Sequence, residues 1–452
     1  MEHSPFINGS SSSLTELLIQ SKKHRRNHIF CQIGTSLIIV AIITILTHIF
    51  LPNCPIYPSS SYFNKNGELQ YKILETIPIG MNVPLKNTYH LGPEVVDLCL
   101  SAKKTFHVAA FYITLSMDDT PLQYGKQLYD CFVEHAHAGR LKLVVDSNPS
   151  DLQKVDIMAL KEMGAELNYL DMSIVNKGIG GRLHTKFMIA DKTALYIGSA
   201  NIDYRSLTHV KELGIVVFDS TMASDLLDVW RSYKVGSSNP IELPRIASFI
   251  NVNHRYSNSS AYISSGPRVL APRARSNDLD AILHAINRAK EFVNIAVMDY
   301  FPGFQFLSGQ PYWAVLDDAL RRAAYRGVNV SLLFSCWPHH TRDDQWPHYL
   351  SLNDVDGIAV RIYTVPQLVD QPAFSRVQHT KYLVSDGDSM VHTSNWSADY
   401  FIDTAGVSFV SDDAAIRGIM KGVFERDFYG EYSSADVDWM QTHCFSIGPQ
   451  SA

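Results

Sequence analysis

One pattern occurs twice in this chain, and the repeat limits its fold more than any other feature of its 452 residues. An apolar run at Phe106 to Leu115 leads to an amphipathic stretch of helical period at Tyr124 to Ala138, and then to a strand-like run at Leu141 to Val145. The order returns as a strand-like run at Phe292 to Met298, an amphipathic stretch at Trp313 to Tyr325 and a second strand at Val328 to Phe334. Gly139 and Gly327 precede the second strands, and each copy then reaches a His-x-Lys segment, at His184 and at His379. Alternating strand and helix predict an α/β fold. Each copy is large enough to carry its own core, so the repeat predicts a pseudo-twofold pair of lobes, each a mixed β-sheet flanked by helices. The lobes are placed at 71–240 and 276–440, with 241–275, rich in Ser, Asn and Pro, as the linker. A site is expected in the cleft between them.

The segments before the repeat read differently. Residues 1–28 are polar and basic, as a cytosolic tail would be, and residues 29–51 form a run without Asp, Glu, Lys or Arg, long enough to span a bilayer. Lys22, Lys23, Arg25 and Arg26 precede that run, while Pro52 to Asn64 contain no basic residue, which places the N-terminus in the cytosol and the bulk of the chain on the lumenal side. Residues 52–70 read as a stalk. Five cysteines, Cys54, Cys99, Cys131, Cys336 and Cys444, follow the run, where disulfides are permitted, but their pairing cannot be read from spacing. Sequons at Asn258 and Asn329 agree with lumenal exposure, whereas Asn395, also in a sequon, belongs to a motif and is expected to stay unmodified.

A 46% hydrophobic, 19% charged composition excludes a disordered or fibrous chain, and a formal charge of -6 excludes a general polyanion-binding surface. Any nucleic acid must therefore be held by a local basic pocket. The 18 histidines, if all were protonated, would carry the charge from -6 to +12, so an acidic compartment favours a polyanionic substrate.

The chemistry is concentrated in the repeated motif. Its first copy has His184, Lys186 and Asp191, then Ser199 and Asn201, then Glu212; strand alternation puts His184 and Lys186 side by side on one face. The second has His379, Lys381 and Asp386, then Thr393 and Asn395, with the aspartate-to-loop spacing one residue shorter. Aligning Gly214 with Gly406 puts Thr404 in the place of Glu212. Transfer at a phosphodiester needs a nucleophile, an acid for the leaving oxygen and cations around the non-bridging oxygens, and two His-Lys pairs supply all three without metal or cofactor. One imidazole would attack phosphorus to give a phosphohistidine while the other protonates the leaving group. Lys186, Lys381, Asn201 and Asn395 would hold the oxygens, with Ser199 and Thr393 assisting. His184 is the expected nucleophile, with Glu212 accepting its second ring N–H. Asp191 and Asp386 complete the motifs, but five residues along a strand from their histidines they are expected to order loops. Tyr112, Trp337 and Trp396 are candidates to stack on bases, although aromatics beside strands ordinarily pack in a core. The adjacent His339 and His340 read as a solvated loop.

The first copy resembles the complete phospholipase D signature, from which the second departs in its shorter spacing and in Thr404. Ile197 to Gly214, Phe334 to Trp337 and Thr393 to Phe401, with the N-terminal anchor, resemble the third and fourth members of the animal phospholipase D family. The resemblance covers most of residues 70 to 435. It implies a homodimeric, type II membrane-anchored enzyme, routed from the endoplasmic reticulum and Golgi to the lysosome, that digests single-stranded DNA and RNA from the 5′ end. Activity on phosphatidyl lipids is the alternative, and a non-catalytic membrane scaffold is the reading from a different class.

Overall fold

The computed structural model describes residues 60–63, 67–177, 180–238, 252–271, 275–337, 345–436 and 444. The expected tail and anchor, most of the stalk, Cys54, His339 and His340 lie outside them. Among the described residues no helix is long and apolar enough to cross a membrane.

Apolar, β-branched segments bounded by glycine and polar turns form two sets of seven strands. In the first lobe these are β1 (Tyr71–Thr76), β2 (Phe106–Ala110), β3 (Leu141–Asp146), β4 (Glu166–Leu170), β5 (Lys186–Ala190), β6 (Ala194–Gly198) and β7 (Glu212–Val217), in the spatial order β1-β7-β6-β5-β2-β3-β4. The second lobe has β8 (Ser260–Gly266), β9 (Phe292–Val297), β10 (Asn329–Ser335), β11 (Ile358–Tyr363), β12 (Lys381–Ser385), β13 (Ser389–His392) and β14 (Gly406–Ser411), in the order β8-β14-β13-β12-β9-β10-β11. The two orders are the same, so the duplication extends to every strand of the set. Parallel pairs β2–β3–β4 and β9–β10–β11 carry the helices Tyr124–His137 and Val315–Tyr325 as crossovers, while the other pairs are antiparallel. β8 lies inside the stretch expected to be linker: its alternating Ala261 and Ile263 reach the core, and β14 pairs along its whole length.

The lobes share a core. Phe187, Ile189, Leu195, Ile197 and Ile215 from the first sheet pack in one buried cluster with Tyr382, Val384, Val391, Val407 and Phe409 from the second. Helices Ser220–Ser238 and Ala414–Phe428 contribute Trp230, Tyr233, Met420 and Phe424 to it. The opposite faces of the sheets bury separate clusters under the remaining helices. Each fully buried Leu, Ile or Phe contributes about 1.5–3 kcal/mol, so a joint built from dozens of them keeps the lobes as one unit.

Two exchanges of backbone across this joint fix the site. Leu183 bridges Ala405 and Gln378 bridges Lys211 in parallel register. The His184 N–H donates to the Ala405 carbonyl at 3.0 Å, and the His379 N–H donates to the Lys211 carbonyl at 2.8 Å. Each His-x-Lys strand is thus entered while hydrogen-bonded to the opposite lobe.

Candidate active site

His184 and His379 line one cavity of about 360 Å³, together with Asn201, Glu212 and Asn395. Both histidines are nearly buried, at 8% and 9% exposure, and Lys186 and Lys381 beside them are fully buried. The lysines occupy matching positions: Lys186 Nζ donates to the His184 carbonyl at 2.5 Å and Lys381 Nζ to the His379 carbonyl at 2.8 Å.

The second ring nitrogens have different partners. His379 Nδ1 lies 2.9 and 3.0 Å from the two oxygens of Glu212, and its N–H donates to that carboxylate. Glu212 also accepts from Ser206 Oγ at 2.9 Å and Ser199 Oγ at 2.5 Å, which leaves the buried carboxylate fully satisfied. This corrects the expectation that Glu212 supports His184. Glu212 opens β7 next to Lys211, and Lys211 is the residue bridged to the strand entry before His379, so the carboxylate is delivered to the histidine of the other lobe. His184 Nδ1 instead lies 3.0 Å from the Thr393 carbonyl. A carbonyl only accepts, so Nδ1 carries the proton and Nε2 keeps the lone pair. Lys186 Nζ, 2.9 Å from the same nitrogen, then repels it and does not donate to it.

Pairing also corrects the alignment of Thr404 with Glu212. Gly214 pairs with Gly198 across β7–β6, whereas Ser408 pairs with His392 across β14–β13. Because Gly198 and His392 each precede the motif hydroxyl, Ser408 is the mate of Gly214, and Gly406 is the mate of Glu212. The backbone agrees: Leu213 N–H donates to Ser199 Oγ at 3.0 Å and Val407 N–H to Thr393 Oγ1 at 3.1 Å. Only one side of the pseudo-twofold carries a carboxylate at this position.

Electrostatics follow from that asymmetry. Burial, with repulsion from Lys186, Lys381 and His379, holds His184 well below the ordinary imidazole value. Burial lowers His379 also, but Glu212 opposes it. Burial and Lys381 push Lys186 well down, and burial brings Lys381 to about 7 against the pull of Glu212 and Asp299. A negatively charged ligand beside these two buried lysines would offset their desolvation and raise both.

The motif aspartates stand apart from this cavity. Asp191 accepts from the backbone N–H groups of Lys103, Lys104 and Thr105 at 2.6–2.8 Å, and Asp386 from those of Lys290, Glu291 and Phe292 at 3.0–3.3 Å. Each ties the entry of the neighbouring strand, β2 or β9. Among the aromatic candidates, Tyr112 and Trp337 line the cavity, but Trp396 is core, its indole N–H donating to His392 Nε2 at 3.3 Å. Sequence reasoning missed Asp299, Phe306 and Tyr400 in the wall. Asp299 was findable: Ala110 pairs with Lys186 and Val297 with Lys381, which makes Asp299 the mate of Tyr112. Their partners match too, since Asn201 Nδ2 donates to Tyr112 at 3.1 Å and Asn395 Nδ2 to Asp299 at 3.4 Å.

Residues 93–360 match the family described as PLD3/4, PLD-like domain. The chain is 34% identical over 413 residues to the 5′-3′ exonuclease PLD3 of Homo sapiens, covering 83% of this chain and 82% of that protein. It is also 34% identical over 389 residues to the virion nicking-joining enzyme of Vaccinia virus (strain Western Reserve), covering 80% and 88%. Among solved structures, phosphatidylserine synthase of Haemophilus influenzae Rd KW20 has a TM-score of 0.51 at 12% identity, covering 76% of this chain and 84% of that one, a likeness of fold. With a family model matching more than half of its length and relatives at 34% identity over four-fifths of it, this chain belongs to the PLD3/4 branch of the phospholipase D superfamily.

Proposed function

We propose that the chain is a phosphodiesterase that works through a phosphohistidine and shortens single-stranded DNA and RNA from the 5′ end. The observation that carries the mechanism is the unequal support of two histidines in one cavity. His184, with Nδ1–H on a neutral carbonyl and a depressed affinity for protons, is the nucleophile. His379, with Nδ1–H on Glu212, is also lowered by burial, but the carboxylate opposes the lowering, so of the two histidines it is the one supported as a proton carrier and is the general acid. In the first step His184 Nε2 forms the bond to phosphorus, the bond to the leaving oxygen breaks, and that oxygen takes the proton of His379 Nε2. In the second, water attacks phosphorus, gives a proton to His379, and the P–N bond breaks. Lys186 and Lys381 neutralise the non-bridging oxygens, which Asn201 and Asn395 border, and Ser199 acts through Glu212.

Supporting the nucleic-acid reading are the 34% identity to a protein named for 5′-3′ exonuclease activity and the aromatic wall of the cavity, Phe111, Tyr112, Phe306 and Phe374. The same proposal includes a membrane anchor at 29–51, a homodimer, and a lumenal active site on the route to the lysosome. Disulfides Cys99–Cys131 and Cys336–Cys444 support an oxidising compartment, and Asn258 and Asn329 are exposed where glycans would need them, unlike Asn395 at 4% exposure.

The test is an assay of the full chain in detergent from pH 4.5 to 7.5, with EDTA, on single-stranded oligonucleotides and on phosphatidyl lipids, beside His184→Ala. Stepwise 5′ shortening, absent in the variant, is the expected result. Turnover of lipid alone would replace this reading with the transphosphatidylase, and inactivity on both with the scaffold.

A further inference from the structure

Strand β10 opens with a sequon whose two polar residues face a groove. Alternation turns Val330 into the core of the second lobe and puts Asn329, Ser331 and Leu333 on the other face of the sheet. On that face Leu333 belongs to the core the lobes share, but before it the face stays open: Ser331 is half-buried and Asn329 exposed. Register adds Phe292 and Asn294 of β9, paired with Asn329 and Ser331, and Ala359 of β11, paired with Ser331. Opposite them runs the end of the helix Ala414–Phe428, and sheet and helix enclose a groove of about 590 Å³.

The groove is chemically mixed. Tyr429, just after the helix, is 72% exposed, and its ring meets the buried Phe428 edge-on at 5.1 Å. Lys421 Nζ lies 5.3 Å over the Phe292 ring and 2.9 Å from Glu425. Between them the sheet offers the Asn294 amide, 7% exposed, and the Ser331 hydroxyl. A wholly apolar ligand would strand these polar groups, and a small ion would leave the Tyr429 ring in water. A pyranose suits both. Its face of C–H bonds covers an aromatic ring, and its rim of hydroxyl and acetamido groups can pair with an amide, a hydroxyl and a carboxylate. The occupant also has its point of attachment in the wall, because Asn329 lines the groove as the acceptor of Asn329-Val330-Ser331. Asn329 Nδ2 donates to the Glu291 carbonyl at 3.5 Å, and an N-glycosidic bond takes only one of the two amide hydrogens, leaving the other for that contact.

We propose that this groove is the seat of the two N-acetylglucosamines at the base of a glycan on Asn329, with a pyranose face stacked on Tyr429. The stem covers the end of the shared core that Ser331 and Ala359 leave open. The proposal rests on the lumenal reading of the chain and adds where the sugar lies.

The full chain is produced in mammalian cells with mannose trimming blocked, so that every glycan stays high-mannose. It is then incubated, folded and in detergent, with an endoglycosidase that cuts between the two N-acetylglucosamines. Glycopeptides are followed by mass spectrometry at Asn329 and at Asn258, which is exposed in the turn before β8. Cleavage at Asn329 is expected to be about tenfold slower than at Asn258, as for a stem seated about nine-tenths of the time. Tyr429→Ala brings Asn329 to within about twofold of Asn258, Tyr429→Trp keeps the protection, and denaturation equalises the sites. Equal rates in folded wild type, protection that survives Tyr429→Ala, or a glycan on Asn258 with none on Asn329 overturns the seat. Absence of glycan from both sites overturns the lumenal reading, and the seat with it.

Discussion

Glu212 of the first lobe holds His379 of the second, with both carboxylate oxygens within 3.0 Å of Nδ1. His184 has only the Thr393 carbonyl in the corresponding role. A single carboxylate thus gives two chemically identical side chains different protonation preferences.

The pH dependence follows in sign. In kcat/KM, which reports the free enzyme, His379 must be protonated and His184 neutral. Burial sets His379 below its ordinary 6.5, so activity falls as pH rises through a value under 6.5; His184 is held well lower, so the acid limb lies below that. Glu212→Gln removes the charge that raises His379. Its alkaline limb should move to lower pH and kcat/KM at pH 6 should fall about 100-fold. An unmoved or upward-moved limb would contradict the role given to Glu212.

Asp191 and Asp386 act on strand entry. Asp191→Ala leaves three backbone N–H groups without their acceptor, and because these lie near solvent, water recovers part of the loss. We expect about 1–2 kcal/mol of destabilisation, seen as a lower melting temperature, with kcat of the folded fraction within about twofold of wild type. A kcat loss matching that of His184→Ala would make the aspartate part of the chemistry.

An ion network closes the lobe joint behind Glu212. Lys211 Nζ lies 3.3 Å from Glu75 and 2.9 Å from Asp427, and Arg426 lies 2.5 Å from Glu75. Burial raises Glu75, but Lys211 and Arg426 bring it net down to about 2 from an ordinary 4.5. A carboxylate depressed in the folded state contributes stability above its unfolded value and loses it as pH falls through its folded one, here about 3 kcal/mol retained down to pH 4.5 and lost toward pH 2. Glu75→Gln should therefore cost about 3–5 kcal/mol by urea unfolding, about equally at pH 5 and pH 7. A cost that vanishes at pH 5 would show the carboxylate protonated in acid.

Cys336–Cys444 closes a loop of 108 residues and stands beside Trp337 in the cavity wall. Cys444→Ser should lower stability by about 4 kcal/mol on the chain-entropy account and raise KM more than it lowers kcat. Unchanged melting and KM would leave the disulfide without a structural role.

That His184 and His379 come together with their lysines was legible because strand alternation and the His-x-Lys spacing are local. What failed was register between copies. Gly214 and Gly406 look equivalent in sequence but exist for different reasons: a Cβ at Gly214 would collide with the Tyr196 ring, and one at Gly406 with Ser394 Oγ. Matching glycines by type hid that Gly406, not Thr404, faces the role of Glu212. The destination of the carboxylate was hidden as well, since the contact between Glu212 and His379 spans 167 residues and depends on the Lys211–Gln378 bridge. A composition rich in Ser, Asn and Pro over 241–275 hides β8, whose Ser264 is buried and donates to Asp278 at 2.6 Å.

The most direct test of the division between the histidines is pre-steady-state release of p-nitrophenol from thymidine 3′-(p-nitrophenyl phosphate), a leaving group that needs no proton. His379→Ala should release about one equivalent in a burst and then stall, with the phosphoryl adduct on the His184 peptide by mass spectrometry, and His184→Ala should give no burst. A burst from His184→Ala with the adduct on His379 would contradict the account.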